Sequence, residues 1–326
     1  MKVTDVGGVP PDGVEAVALN VTVTDTSAPS FLTVSPHGTA RPTASNLNWD
    51  SSGVTKANAV VVKVGTEGMI DLYNLAGTTH AIIDVAGWFR EGSGFHAVPP
   101  DRVLDTRLGG GVPVAGPGDV DLTLGASAVP ASAVGVVFNA TSTEASEASY
   151  VSAFPAGGER PGSSNLNISP SRTTSNLIIS GLGSSGDVTL FNRFGSTHLI
   201  ADVAGWFSAG SGYSGIDPRR LVDTRATRRL GAGRTMSVRV RGAGTGVPST
   251  ARVVIVNVTA VLSTAPSFLT VFPTGEAWPT ASNVNFGPGM VVPNLVFATI
   301  GDDGSIDIGN AHGEVDVLVD LFGYLG

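Results

Sequence analysis

Residues 17–24 alternate in a strict period of two: Val17, Leu19, Val21 and Val23 lie on one face, and Ala18, Asn20, Thr22 and Thr24 on the other. That pattern predicts an antiparallel strand with one face on a core and the other toward water. Short β-branched and aromatic runs at 31–35, 59–64, 70–73 and 81–89 predict further strands. Turn signals at 36–38, 67–68 and 76–77 separate them. The run at 81–89 is apolar on both faces, which predicts a central strand covered on both sides and places Asp84 in the interior. No window carries a sustained 3.6-residue apolar stripe, so crossover helices are absent from the expected fold and the sheets should be antiparallel.

The same pattern then returns twice. "ALNVTVT…SFLTVSP…RPTASNLN…IIDVAGWF" recurs as "VFNATST…SYVSAFP…RPGSSNLN…IADVAGWF" and as "IVNVTAV…SFLTVFP…WPTASNVN…LVDLFGYL". Asp84, Asp202 and Asp320 are each 118 positions apart, and Asn20, Asn139 and Asn257 keep nearly the same interval. A period this long is the size of a domain, not of a solenoid repeat. The expected architecture is all-β: three tandem antiparallel β-sandwich or barrel domains, comprising residues 1–92, 93–210 and 211–326. Joins are expected near 91–98 and 209–216, where "GSGF" and "GSGY" leave the final strand. The segments "RVLDTR" (102–107) and "RLVDTR" (220–225) precede the second and third copies, and no counterpart precedes the first. This suggests part of a longer chain or array, or a first copy lacking one element.

Composition fits an extracellular β protein. Charged residues make up 14% of the chain, against roughly a quarter in an average domain, while Gly (43) and Pro (20) are abundant. The net charge of −8 argues against nucleic acid as a partner. No run of 18 apolar residues predicts membrane insertion. The absence of cysteine removes disulfides and thiol chemistry. No phosphate loop, HExxH, G-x-S-x-G or calcium loop is present, so neither catalysis nor a cofactor or metal is expected.

Two repeated constellations carry chemistry. Asp84, Asp202 and Asp320, if buried, need compensation, and the last arginine of each "LDTR", Arg107 and Arg225, is the expected partner. Asp105 and Asp223 compete for the same arginines. The second constellation is a Ser/Asn loop: Ser45, Asn46 and Asn48; Ser164, Asn165 and Asn167; Ser282, Asn283 and Asn285. Just before its proline stands a variable residue, Arg41, Arg160 or Trp278. Carboxamides and hydroxyls suit sugar hydroxyls, which makes this loop a candidate glycan site. They also cap backbone groups, which makes it a candidate structural turn. A further Asn recurs at Asn58, Asn176 and Asn294, and another at Asn74, Asn192 and Asn310.

The combination of "SNLN", "DVAGWF" and "LDTR" resembles a repeat module of secreted actinobacterial envelope proteins, over essentially the whole chain. The resemblance implies an exported accessory module, found in tandem arrays or beside envelope hydrolases, with no catalytic residues to carry over. Two functions follow as expectations. The first is a non-catalytic structural or adhesive module at the cell surface or on a secreted assembly, with other envelope proteins as partners. The second is a multivalent lectin-like module directed at cell-wall or host polysaccharide.

Overall fold

The computed structural model describes residues 1–125 and 127–326. The chain is all-β, with 54% strand and 2% helix. The first copy contributes β1 (Val14–Thr24), β2 (Ser30–Pro36), β3 (Leu47–Trp49), β4 (Lys56–Lys63), β5 (Ile70–Asn74) and β6 (His80–Arg90). The second contributes β7 (Phe95–Asp105), β8 (Val114–Ala115), β9 (Gly118–Leu122), β10 (Ala133–Thr143), β11 (Ser149–Pro155), β12 (Leu166–Ile168), β13 (Thr174–Gly181), β14 (Val188–Asn192) and β15 (Ser196–Ser208). The third contributes β16 (Tyr213–Asp223), β17 (Arg234–Arg239), β18 (Val253–Val261), β19 (Ser267–Pro273), β20 (Val284–Phe286), β21 (Val292–Thr299), β22 (Ser305–Asn310) and β23 (Asp316–Leu325).

Each copy folds into two antiparallel sheets. One is built from long strands, in the order β4-β1-β6, β13-β10-β15-β7 and β21-β18-β23-β16. The other has the order β3-β2-β5, β12-β11-β14-β9 and β20-β19-β22-β17. The two sheets of a copy enclose an apolar core. In the first copy Val17, Leu19, Val21 and Val23 meet Leu32, Val34, Leu47 and Ile70, and the other copies repeat this packing. The alternation in the sequence sets this inward face correctly. Its other face is not solvated, however. Asn20 and Thr22 are as buried as their apolar neighbours, because the back of each long-stranded sheet packs on the other copies.

That packing corrects the expectation of three separate tandem domains. A fourth core joins all three copies: Ala16, Ala18 and Val61 of the first, Val137, Leu177 and Ile179 of the second, and Ile255, Leu295 and Phe322 of the third. The six sheets take a six-bladed, propeller-like arrangement in which β4, β13 and β21 meet at the centre. The expected joins are not loose linkers. Phe95 and Tyr213 of the "GSGF" and "GSGY" segments enter the shared core. There Phe89 stacks on Phe95 at 4.1 Å, and Phe207 on Tyr213 at 4.4 Å. Aromatic contacts of this kind add to the burial that holds the copies together.

A closed cycle of carboxamides completes the joint. Asn58 Nδ2 donates to Asn139 Oδ1 at 3.0 Å, Asn176 Nδ2 to Asn257 Oδ1 at 3.1 Å, and Asn294 Nδ2 to Asn20 Oδ1 at 2.9 Å. The oxygens of the donating residues accept in turn from the next copy's central strand, through the backbone N–H groups of Leu177, Leu295 and Ala59. First copy binds second, second binds third, and third binds first. The central strands would otherwise present unpaired N–H groups to an apolar interior, which costs about 1–3 kcal/mol per group.

Two outcomes test this architecture. Residues 93–210 expressed alone expose Val137, Leu177, Ile179 and Phe207, so the fragment should self-associate in sedimentation velocity. A stable monomer with cooperative unfolding would contradict the shared core. Asn176→Asp sets a carboxylate oxygen against the Asn165 carbonyl and Asn257 Oδ1, both of which accept from Asn176 Nδ2 in the native ring. Urea unfolding should show a loss of at least about 3 kcal/mol, larger than that of Asn176→Ala.

Candidate functional site at the joints between copies

The Ser/Asn loops do not stand free at one end of the molecule; they are the mortar of the joints. Asn46, Asn165 and Asn283 each turn a side-chain oxygen inward, accepting from the backbone N–H of Val34, Ala153 and Val271 at 2.7 Å. Their backbone carbonyls accept from Asn58, Asn176 and Asn294. The backbone carbonyls of Ser45, Ser164 and Ser282 accept from Asn139, Asn257 and Asn20 of a neighbouring copy, at 2.8, 3.0 and 2.6 Å. The hydroxyls of Ser45 and Ser164 donate to Asn48 and Asn167, and Asn285 donates to the Ser282 hydroxyl. Asn46 and Asn165 are buried, while Asn283 is half-buried. The capping role weighed in the sequence therefore accounts for the carboxamide oxygen of all three.

The variable residue before the proline also faces the protein. Arg41 lies over the Tyr73 ring at 4.0 Å, and Arg160 over the Phe191 ring at 4.3 Å. In the third copy the equivalent strand position is Gly309, and the indole of Trp278 fills the space above it, so close that any Cβ there would collide with the ring. Arginine over an aromatic and tryptophan over glycine are two solutions to covering the same strand. Asn192 and Asn310, from the other recurring set, are fully buried and donate to the carbonyls of Val114 and Leu230.

The ion pairs hold a correction. Asp202 and Asp320 are 2% and 1% exposed, as expected of the final strand. Their partners are not Arg107 and Arg225 but the first arginines of the same segments. Arg102 Nε reaches Asp202 at 2.8 Å, Arg220 Nε reaches Asp320 at 2.7 Å, and a second N–H completes each fork. Arg107 and Arg225 turn back onto Asp105 and Asp223, two residues earlier. The reason is register. Arg102 stands opposite Asp202 in the ladder and Arg220 opposite Asp320, whereas Arg107 and Arg225 lie beyond the ends of β7 and β16. Asp84, the third member, is half-buried and has no ion-pair partner among the described residues.

These environments push the carboxyl groups in opposite directions. Burial holds Asp202 and Asp320 above the usual carboxylate value even with a guanidinium attached. The Arg225 side chain draws Asp223 down to about 2, and Arg107 lowers Asp105. Burial alone raises Asp84.

One joint leaves room for a ligand. A cleft of about 440 Å³ opens between the second copy's loop and the third copy's leading strand. It is lined by Tyr150, Ser164 and Asn167 on one side and Arg220, Arg225, Thr259 and Leu318 on the other. The Asn167 Nδ2 is buried without an acceptor, as is that of Asn48 in the first copy. Each guanidinium here already has a carboxylate, so the cleft is polar but nearly charge-balanced. The structure thus brings Ser164, Asn167 and Arg225 together, while Asn165 is withdrawn into the joint. Sequence reasoning missed Arg102, Arg220 and the ring formed by Asn20, Asn58, Asn139, Asn176, Asn257 and Asn294. Their regular recurrence on strands was the available signal. Among the described residues, no group of three or more His, Asp or Glu is placed to hold a metal, and no helix is long and apolar enough to cross a membrane.

No family model matches the chain, and no curated protein matches it. Among solved structures, it is similar to a chain from Sulfolobus Turreted Icosahedral Virus at 11% identity, covering 97% of this chain and 82% of that one with a TM-score of 0.24. It is also similar to a chain from the triple jelly roll fold and turret assembly of an archaeal virus, at 11% identity over 97% and 81% with a TM-score of 0.23. At these scores neither likeness carries an argument about fold or activity.

The corrected ion pairs give a sharp contrast. Arg220→Ala leaves Asp320 buried and unpaired, which should cost about 3–5 kcal/mol. Arg225→Ala loses a pair whose arginine is 49% exposed and should cost about 1 kcal/mol or less. The larger loss should shrink in acid. An orphaned Asp320 titrates still higher in the folded state, above its ordinary value of 3.8. The penalty is full at neutral pH, declines as pH falls through the raised folded value, and is gone below the unfolded value. Denaturation of both variants between neutral pH and pH 3 measures this.

Proposed function

We propose that the chain is a non-catalytic structural module of the cell surface or of a secreted assembly. The observation that carries this reading is the use of the repeated polar side chains. The Asn and Ser residues that recur in every copy bind one copy to the next, and the recurring Arg–Asp forks bind a leading strand to its sheet. Three copies closed into one ring make a stiff unit, suited to spacing or anchoring what it is attached to. The low charge and the resemblance to exported actinobacterial repeats support a location outside the cytoplasm.

A second reading, glycan binding, rests on one observation: the cleft holding Tyr150, Ser164 and the unsatisfied Asn167 Nδ2. An aromatic ring beside hydroxyl and carboxamide groups suits a neutral sugar. The structural reading expects flat responses on an array of cell-wall and host glycans, and recovery of the native protein in envelope or culture fluid. Saturable sugar binding that Asn167→Ala abolishes at unchanged thermal stability would replace it with the lectin reading. A purely cytosolic pool would remove the surface assignment.

A further inference from the structure

The three copies differ at one place that their joints do not explain. In the second copy β7 covers the outer edge of β15, and in the third β16 covers β23. Among the described residues, β6 of the first copy has no strand on its outer edge; its sheet ends there. The side chains register the difference. Ala201, Asp202 and Val203 of β15 are at most 2% exposed, and so are Val319, Asp320 and Leu321 of β23. Their counterparts Ile83, Asp84 and Val85 are all partly exposed, and Ile82 is 50% exposed where Ile200 is 6%. In the short-stranded sheet the outer side of β5 is met only at its start, by the bridge between Lys2 and Met69 and the bonds between Met1 and Ile70, where β9 and β17 run the full length of its counterparts. A bare edge next to apolar side chains is a template for strand pairing.

The occupant can be read from the two edges that are filled. On β15 and β23 the pairing strand carries an arginine opposite the buried aspartate and grips it with two N–H groups. Asp84 holds the equivalent position on β6 and lacks that arginine. Arg102 also donates to the carbonyl of Thr43 in the preceding copy's loop. Thr280 stands at the equivalent loop position of the third copy, beside the first, so the residue whose carbonyl would accept from such an arginine is repeated as well. Both segments of this type within residues 1–326 are already committed to β15 and β23, so neither is free to fill this edge.

We propose that the open edge of β6 is a strand-docking site for an extended segment of the Arg-Val-Leu-Asp-Thr-Arg type, with its first arginine closing on Asp84. The segment pairs antiparallel with β6, buries Ile82 and supplies the cation that Asp84 lacks. A segment docked in this way completes the first copy as β7 completes the second. The inference holds whether the module is inert or binds glycan.

A peptide with the sequence of residues 99–108 of this chain, added to the full protein, tests it by calorimetry and amide exchange. Saturable binding with a Kd at or below about 1 mM is expected, together with slowed exchange of the β6 amides. Asp84→Asn, isosteric and half-buried, should weaken binding by about tenfold or more while leaving the fold intact by circular dichroism. The same loss should follow on unaltered protein when the peptide carries Arg102→Ala, which keeps the test independent of any folding defect. Equal binding by both aspartate forms, no saturation by about 1 mM, or protection of β6 by self-association of the chain without peptide would each overturn the proposal.

Discussion

The fold depends on six asparagine side chains at its centre. A strand at the middle of a ring has an inner edge with no further strand to pair with, and its N–H and C=O groups face an interior without water. Asn58, Asn176 and Asn294 supply what that edge needs: an oxygen for the next copy's N–H and an amide for its carboxamide. Only a carboxamide offers donor and acceptor at adjacent atoms without a charge to desolvate. An Asp would bring charge and lose the donor, and a Ser is too short to reach both partners. Because the pattern is cyclic, every member is satisfied only when all three copies are in place, so the joint is all-or-none in a way that apolar contact alone is not.

That requirement explains the burial pattern. Once the back of each long-stranded sheet is sealed by carboxamides, the residues around them can be apolar, and Ala16, Ala18, Val137, Leu177, Ile255 and Leu295 form a fourth core. The small alanines of β1 and the aromatics Phe89, Phe95 and Phe207 divide this space unequally among the copies. The three units are alike in topology but not interchangeable in packing. The Arg–Asp forks act at the other end of the same sheets, locking a leading strand onto an apolar edge that would otherwise be open.

Much of this was legible beforehand, and the failures share one physical cause. Strand positions, antiparallel pairing and the two-sheet copy follow from period-two alternation and turn residues, which are local signals. The alternation of Val17 to Val23 also identifies the inner face correctly. It cannot distinguish water from a neighbouring copy on the other face, because Ala, Asn and Thr suit either setting. Asn20, Asn139 and Asn257 therefore looked like solvated strand residues. The arginine assignment failed for a related reason. Which of Arg102 and Arg107 meets Asp202 depends on ladder register across about a hundred residues, and the bulge between Ala201 and Asp202 that sets this register belongs to the three-dimensional packing. Arg41, Arg160 and Trp278 looked like a variable binding position because their strand partners Tyr73, Phe191 and Gly309 lie more than thirty residues away in sequence.

Ring closure sets the order in which these interactions can count. The joints between first and second copies and between second and third link Asn pairs 81 positions apart, whereas the closing pair, Asn294 and Asn20, is 274 apart. The entropy of closing a loop grows only with the logarithm of its length, so the third joint carries a modest extra cost in stability. Contacts of such separation are nevertheless slow to form. Two joints already made hold the third copy near the first, and the shared core then needs only the last carboxamide pair and the apolar surfaces of Ala16, Ala18 and Val61 to close. Tandem linkage thus turns an assembly that separate subunits would reach only at sufficient concentration into an intramolecular step, which is the physical advantage of writing the same unit three times in one chain.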